Sequence, residues 1–406
     1  MSHHRRSRAF NSILCALVAF QVALVSLSAA GIAQAADAPP VVQAVGCLLA
    51  DFRTGRVLAS KDADTPHIPA SLAKIMTMYL VFDELAAGKI TMNDMVPISE
   101  KAWATEGSKM YVLVGTKVKI EDLIRGSTVM SGNDACTALA EYVAGNLASF
   151  VDRMNRKARE LGMTETRFAD PHGLSDDNRM SARDLLVLTR SYVTAHPEAL
   201  QFHAMKEFAY TAPGERAKAP QFNRNRLLWT YPGTYGLKTG FTTLAGYNMV
   251  ALVERSGFNV IAIVLGTAKG LPLDEGEQAR SEIIMSLLDW AYTRYSYVET
   301  AQPGAVMGRV RVWQGRGKYA EAVAPQGLGA AVEKGQEDEV TSSVSLRKDL
   351  SAPVLGGSKV GEVVFTVRGQ EVGRMDLIAK TDVARGNIFR VLWDSVLKGL
   401  ARTFGR

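Results

Sequence analysis

Three short stretches hold the side chains suited to covalent chemistry: Ser71 with Lys74, Ser131 with Asn133, and Lys238 with Thr239 and Gly240. A serine hydroxyl is a weak nucleophile unless a base stands ready to take its proton. Ser71 and Lys74 lie three residues apart, which on a helix places them on one face and within reach. From Leu72 to Phe82 the only charged residue is Lys74, and apolar residues surround the helix on all sides. Such a helix belongs in the middle of a domain. Burial penalises an ammonium more than a free amine, so the Lys74 pKa should fall towards neutrality and suit it as the base. Pro69 and Gly88 mark the two ends of this helix, and its first turn offers backbone N–H groups to a developing oxyanion. The plainer explanation is a capping serine beside a snorkelling lysine, because this spacing is common.

The other two stretches suit a substrate cleft. Met130-Ser131-Gly132-Asn133-Asp134 permits a tight turn that aims a hydroxyl and a carboxamide into a cleft. A helix-start turn would look the same. Lys238-Thr239-Gly240 falls inside a predicted strand, where glycine is a weakness unless something must approach the backbone closely. An extended peptide along the strand edge is such a need, and Lys238 and Thr239 would meet its terminal carboxylate. The alternative is a surface lysine beside a bulge.

The positioning elements follow from periodicity. Val45–Ala59, broken at Asp51–Arg56, reads as a β-hairpin leading into the serine helix. Further helices are predicted at Ile120–Gly126, Ala135–Val143 and Phe150–Leu161, the last stopped by Gly162. Strands are predicted at Tyr235–Thr243, Tyr247–Glu254 and Phe258–Leu265, forming an antiparallel meander. The three chemical stretches thus occur in order in helix, turn and strand contexts that each suit their roles.

Serine β-lactamases and penicillin-binding proteins share this set of motifs. The chain resembles the D-alanyl-D-alanine carboxypeptidases, the low-molecular-mass penicillin-binding proteins, through Pro69–Lys74, Ser131–Ala135 and Gly236–Thr242. Asn225-Arg226-Leu227-Leu228 and Ala245-Gly246-Tyr247-Asn248 follow the same pattern. The resemblance implies an α+β fold of the β-lactamase/transpeptidase type, an antiparallel sheet flanked by helices with the site at the sheet edge. It implies that Ser71 attacks the bond between the last two D-alanines of a peptidoglycan stem peptide. Lys74 would take the proton, Ser131 would relay one to the departing D-alanine, and Asn133 would hold the substrate amide. Lys238, Thr239 and Gly240 would bind the carboxylate end, and the backbone N–H groups of Ser71 and Phe241 would form the oxyanion hole. β-Lactams should acylate Ser71. Asp170 stands where the family usually has asparagine, Phe241 occupies a variable position, and Lys269 is the candidate for an arginine often found after the last core strand. The rivals are a D,D-endopeptidase, a serine β-lactamase and a non-enzymatic wall-binding scaffold. The stretch Glu165-Thr166-Arg167-Phe168-Ala169 lacks the Glu-x-x-Leu-Asn pattern of the common β-lactamase class.

The ends of the chain speak to location. Arg5, Arg6 and Arg8 precede an apolar run from Ile13 to Leu27 and then Ala33-Gln34-Ala35. Residues 1–35 therefore read as a secretory signal peptide; the run is short for a permanent membrane span. The net charge is +6, and removing those three arginines leaves +3. Residues 385–406 carry five basic residues against Asp394, so the rest of the mature chain is near −1. The basic balance thus sits at the two ends and gives no support to nucleic-acid binding. Cys15 would leave with the signal; Cys47 reads as a buried strand residue and Cys136 as a thiol near the cleft, most simply buried and inert. His67, His172, His196 and His203 lack ligand spacing, so neither a metal nor another cofactor is expected.

After a catalytic domain at 36–299, strands at Gly308–Trp313, Ser342–Leu346, Gly361–Val367 and Glu371–Ala379 predict a small all-β domain over 300–385. Residues 386–406 form an amphipathic helix with Phe389, Leu392, Trp393, Val396 and Leu397 on one side. It is too polar to span a bilayer and fits the membrane surface, where its basic residues would attract anionic lipid. The predicted location is the periplasm, peripheral on the outer face of the cytoplasmic membrane.

Overall fold

The computed structural model describes residues 38–404, with side chains as far as Lys398. The predicted signal segment, 1–35, lies outside the described residues. The frame is a wholly antiparallel five-stranded sheet of β1 (Gly46–Asp51), β2 (Val57–Lys61), β3 (Thr234–Thr242), β4 (Gly246–Arg255) and β5 (Phe258–Thr267). Its spatial order is β2-β1-β5-β4-β3. The N-terminal hairpin joins the meander through β1 and β5, so β3 is left as an open edge.

Both faces of this sheet are covered, which is why its central strands are apolar at nearly every position. Leu48, Val250, Leu252, Ile261 and Ile263 pack towards a helical layer of α1 (Lys74–Ala86), α2 (Ile120–Thr128), α3 (Asn133–Ala144), α4 (Leu147–Glu160) and α5 (Ala182–Ala195). Leu49, Met249, Ala251, Val260 and Val264 face α6 (Leu273–Arg294) through Ile284, Leu287 and Leu288. Every residue of α1 from Ile75 to Phe82 is buried, as the unbroken apolar run predicts. The sequence reading does not predict α5 or α6.

Beyond the sheet, β6 (Tyr295–Ala301) pairs with β9 (Leu328–Glu333). A second five-stranded sheet runs β7-β8-β12-β11-β10. Its strands are β7 (Val306–Arg311), β8 (Tyr319–Val323), β10 (Val340–Leu346), β11 (Lys359–Val367) and β12 (Gln370–Ala379). Val310, Ala322, Val332, Phe365 and Leu377 give this assembly its own core. Periodicity found β7, β10, β11 and β12. It missed β6, β8 and β9; β8 and β9 each carry two alanines where β-branched residues usually announce a strand. The β1–β2 turn ties the two assemblies together: Arg53 Nη1 donates to Gly327 O at 3.4 Å and Arg56 Nη1 to Ala331 O at 2.7 Å.

The last helix is α7 (Ile388–Phe404). Its polar face is turned towards the β assembly. Asp394 is buried and accepts from Gln314 N at 2.7 Å, while Lys398 Nζ donates to Ser351 Oγ at 2.6 Å. Ile388, Phe389, Leu392, Trp393 and Val396 point outward, each at least 60 % exposed. The apolar stripe, rather than the basic one, is presented to the surroundings, because Asp394 and Lys398 find fixed polar partners on the protein. Among the described residues no helix is long and apolar enough to cross a membrane.

Ile263 is fully buried in the strand between β1 and β4. Ile263→Ala is expected to lower unfolding free energy by about 2–5 kcal/mol, read from the chemical-denaturation midpoint.

Candidate active site

Ser71 does not lie on α1 itself but in a 3₁₀ turn, Ala70–Ala73, that feeds into it. In a 3₁₀ turn side chains three apart eclipse one another, so the tighter winding stacks Lys74 over Ser71. Lys74 Nζ lies 2.9 Å from Ser71 Oγ, 2.7 Å from Asn133 Oδ1 and 2.7 Å from the His172 carbonyl oxygen. Two of these partners can only accept, so two N–H bonds are committed to them. In the neutral amine the lone pair is then left facing the serine. Lys74 is 1 % exposed. Burial pulls its pKa down to about 8, against the opposing pull of Cys136, Asp170 and Asp134.

Ser131, two residues before α3, has a left-handed φ of 56°, a conformation that costs a non-glycine residue about 1 kcal/mol or more. That conformation turns its Oγ towards the strand edge, where Lys238 Nζ donates to it at 3.1 Å. Lys238 also donates to Thr239 O at 2.9 Å. Its pKa falls well below the ordinary value through burial first, then through the charges of Lys74 and Arg224. A carboxylate arriving beside Lys238 would favour its charged form. Asn133 is committed at both ends, accepting from Lys74 and donating through Nδ2 to Glu106 O at 2.7 Å. A substrate amide must therefore share this carboxamide.

Gly240 has a reason beyond substrate access. A Cβ there would stand 2.7 Å from Pro69 O and 3.0 Å from Ser71 N, so only glycine lets β3 pass against the serine turn. Gly173 does the same from the other side, lying against Ala70 O. Thr239 is buried beside Lys238, and Phe241 stacks on Tyr247 with ring centroids 4.3 Å apart. Along β3, alternate residues aim their peptide groups at β4 and at the open edge. Leu237 O and Thr239 O are bonded from outside the sheet, by His203 and Lys238. The Phe241 N–H, two residues further on, faces the same open side.

Two carboxylates to which the sequence reading gave no role hold the loops around these groups. Asp170 accepts from the backbone N–H groups of His172, Gly173 and Ser175, which presents the His172 carbonyl to Lys74. Asp134 accepts from Met110 N, Tyr111 N and Val112 N at 2.8, 2.7 and 3.2 Å, which fixes the Glu106–Val112 wall. The pairing of aspartate with glycine in 170–173 and its position beside Asn133 were the available signals. Lys269 is exposed, and the buried Arg280 of α6 adds to the like charges that lower the Lys238 pKa. Cys136 is fully buried with Sγ 3.3 Å from Ser127 Oγ, and burial raises its pKa. Glu165 is exposed. Among the described residues no group of three or more His, Cys, Asp or Glu is placed to hold a metal ion.

The chain matches the D-alanyl-D-alanine carboxypeptidase family over residues 33–269 and the C-terminal domain of penicillin-binding protein 5 over residues 295–385. The chain belongs to the D-alanyl-D-alanine carboxypeptidases. It is 34 % identical over 388 residues to D-alanyl-D-alanine carboxypeptidase DacA of Haemophilus influenzae, covering 93 % of this chain and 95 % of the relative. Identity with DacC of Escherichia coli is 36 % over 375 residues, 90 % of each protein. The crystal structure of penicillin binding protein 5 from Haemophilus influenzae superposes with a TM-score of 0.68 at 34 % identity, covering 86 % of this chain and 99 % of that one. The expected fold, a sheet flanked by helices and followed by an all-β assembly, is thus the family's own.

If Lys74 is the base for Ser71, it must be neutral in the free enzyme. Protonation below a pKa of about 8 removes the base, and kcat/KM reports free-enzyme groups. Acylation kcat/KM is therefore expected to rise with pH through a midpoint near 8, measured by penicillin trapping across a pH series at constant ionic strength.

Proposed function

We propose that Ser71 Oγ attacks the carbonyl of the penultimate D-alanine in a peptidoglycan stem pentapeptide. Its proton passes to Lys74 Nζ. The new Oγ–C bond forms a tetrahedral intermediate whose oxyanion lies against the backbone N–H groups of Ser71 and Phe241. Ser131, bridged to Lys238, relays the proton held on Lys74 to the leaving amine as the C–N bond breaks, so that Lys74 is neutral again and the terminal D-alanine departs. Water then cleaves the acyl ester. Lys238 and Thr239 take the terminal carboxylate, and Asn133 steadies the substrate amide while holding Lys74. A β-lactam enters the same acylation step and remains attached. The observation that carries this assignment is Lys74 Nζ, held between two acceptor oxygens with its remaining position 2.9 Å from Ser71 Oγ.

The site is exported behind the 1–35 signal and works in the periplasm at the outer face of the cytoplasmic membrane. The outward apolar stripe of α7 supports attachment there: Phe389 is 79 % and Trp393 65 % exposed, and burying such side chains in the interfacial region is favourable. The catalytic unit is best ended at Tyr295, since β6 pairs with β9 of the following assembly.

Ser71→Ala is expected to abolish both covalent penicillin labelling and release of D-alanine from a pentapeptide; retained labelling, mapped to another side chain, would overturn the nucleophile. Fast turnover of penicillin by the unaltered chain would instead mark a β-lactamase. Deleting residues 387–406 is expected to move the mature protein from the membrane pellet to the supernatant with activity intact. Continued sedimentation with vesicles containing anionic lipid would place the anchor elsewhere.

A further inference from the structure

His203 plays no part in the chemistry above, yet it is 1 % exposed and sits directly behind the carboxylate-binding strand. Its Nδ1 lies 3.0 Å from Leu237 O, and its Nε2 lies 3.1 Å from the Tyr192 hydroxyl. A carbonyl can only accept, so Nδ1 carries the proton and Nε2 accepts from Tyr192. The tautomer is thereby decided by the two neighbours. Tyr192 is itself fully buried on α5 and packs against Tyr79 and Phe82 of α1, with ring centroids 5.6 and 6.1 Å away. Asn223 Nδ2 donates to His203 O at 3.3 Å, holding the residue's backbone as well. A continuous column therefore runs from the helix that begins at Lys74, through Tyr192 and His203, to the residue before Lys238.

We propose that His203 is a positioning residue for the carboxylate-binding edge, taking up the outward carbonyl of Leu237 and so setting where Lys238 meets Ser131 and the incoming carboxylate. On an open edge strand such a carbonyl would otherwise be hydrated or bonded to a partner strand. Here it is anchored to the same aromatic packing that supports the nucleophile helix, which ties the two halves of the site to one another. The inference rests on the assignment of Ser71 and Lys238 made above.

The test uses the full mature chain and follows acylation by a fluorescent penicillin together with kcat and KM for a peptide ending in D-Ala-D-Ala. His203→Gln places its amide too far out to reach Leu237 O. It is expected to lower the second-order acylation constant by about tenfold or more, with the melting temperature little changed. His203→Asn puts a donor at the Nδ1 position and is expected to recover most of that loss. Substrate binding is expected to suffer as well, so KM rises along with the fall in kcat. Acylation by His203→Gln at the unaltered rate, or His203→Asn as slow as His203→Gln, would overturn the proposal. Should His203→Gln not fold, Tyr192→Phe removes the Nε2 partner and is expected to slow acylation by about threefold; an unaltered rate there would equally overturn it. Mass mapping of the penicillin adduct in the unaltered chain keeps the two levels apart. A label away from Ser71 refutes the site assignment, whereas a label on Ser71 with an indifferent His203 refutes only this proposal.

Discussion

An ammonium taken out of water needs acceptors, and an amine that is to act as a base must have few enough of them to leave its lone pair free. Lys74 satisfies both demands at once. It is almost fully buried at the head of an apolar helix, and its fixed partners are one carboxamide oxygen and one backbone carbonyl. A third obligate acceptor would favour the charged form; none at all would leave the side chain free to choose other rotamers. The rest of the fold can be understood as the means of delivering those two oxygens and Ser71 to one point.

The delivery uses three separate pieces of chain. The Asn133 oxygen comes from the first residue of α3, the His172 carbonyl from a loop wound around the Asp170 carboxylate, and Ser71 from a 3₁₀ turn. The sheet brings its edge to the same place, and two glycines, Gly173 and Gly240, are the positions where backbones come too close for a Cβ. Asp134 and Asp170 spend their lone pairs on backbone N–H groups. They shape the walls rather than take part in proton transfer.

Much of this was legible in the linear chain because its causes are local. Ser71 and Lys74 are neighbours on any helical winding, the uncharged run after them demands burial, and the alternating meander demands a sheet. The motif spacing then singled out Ser131, Asn133 and Lys238. What escaped was nonlocal. Nothing in Phe168–Leu174 shows that a main-chain oxygen there will meet a lysine nearly a hundred residues earlier. Nor does the linear chain show that Arg280, buried on the unannounced α6, will add its charge to those acting on Lys238. The amphipathic pattern of α7 was visible, but which face would turn outward was decided by Gln314 and Ser351 on the β assembly.

The amino-acid order by itself determined the kind of chemistry: a serine with a lysine one turn away, on a helix too apolar to be exposed, and a glycine-bearing strand to receive a peptide end. Those features arise from side-chain spacing, and spacing survives whatever the rest of the chain does. Only the tertiary structure decided how strongly the lysine would be stripped of its charge and what would hold it. Desolvation and hydrogen bonding depend on atoms that are distant in sequence and adjacent only once the sheet and helices have packed.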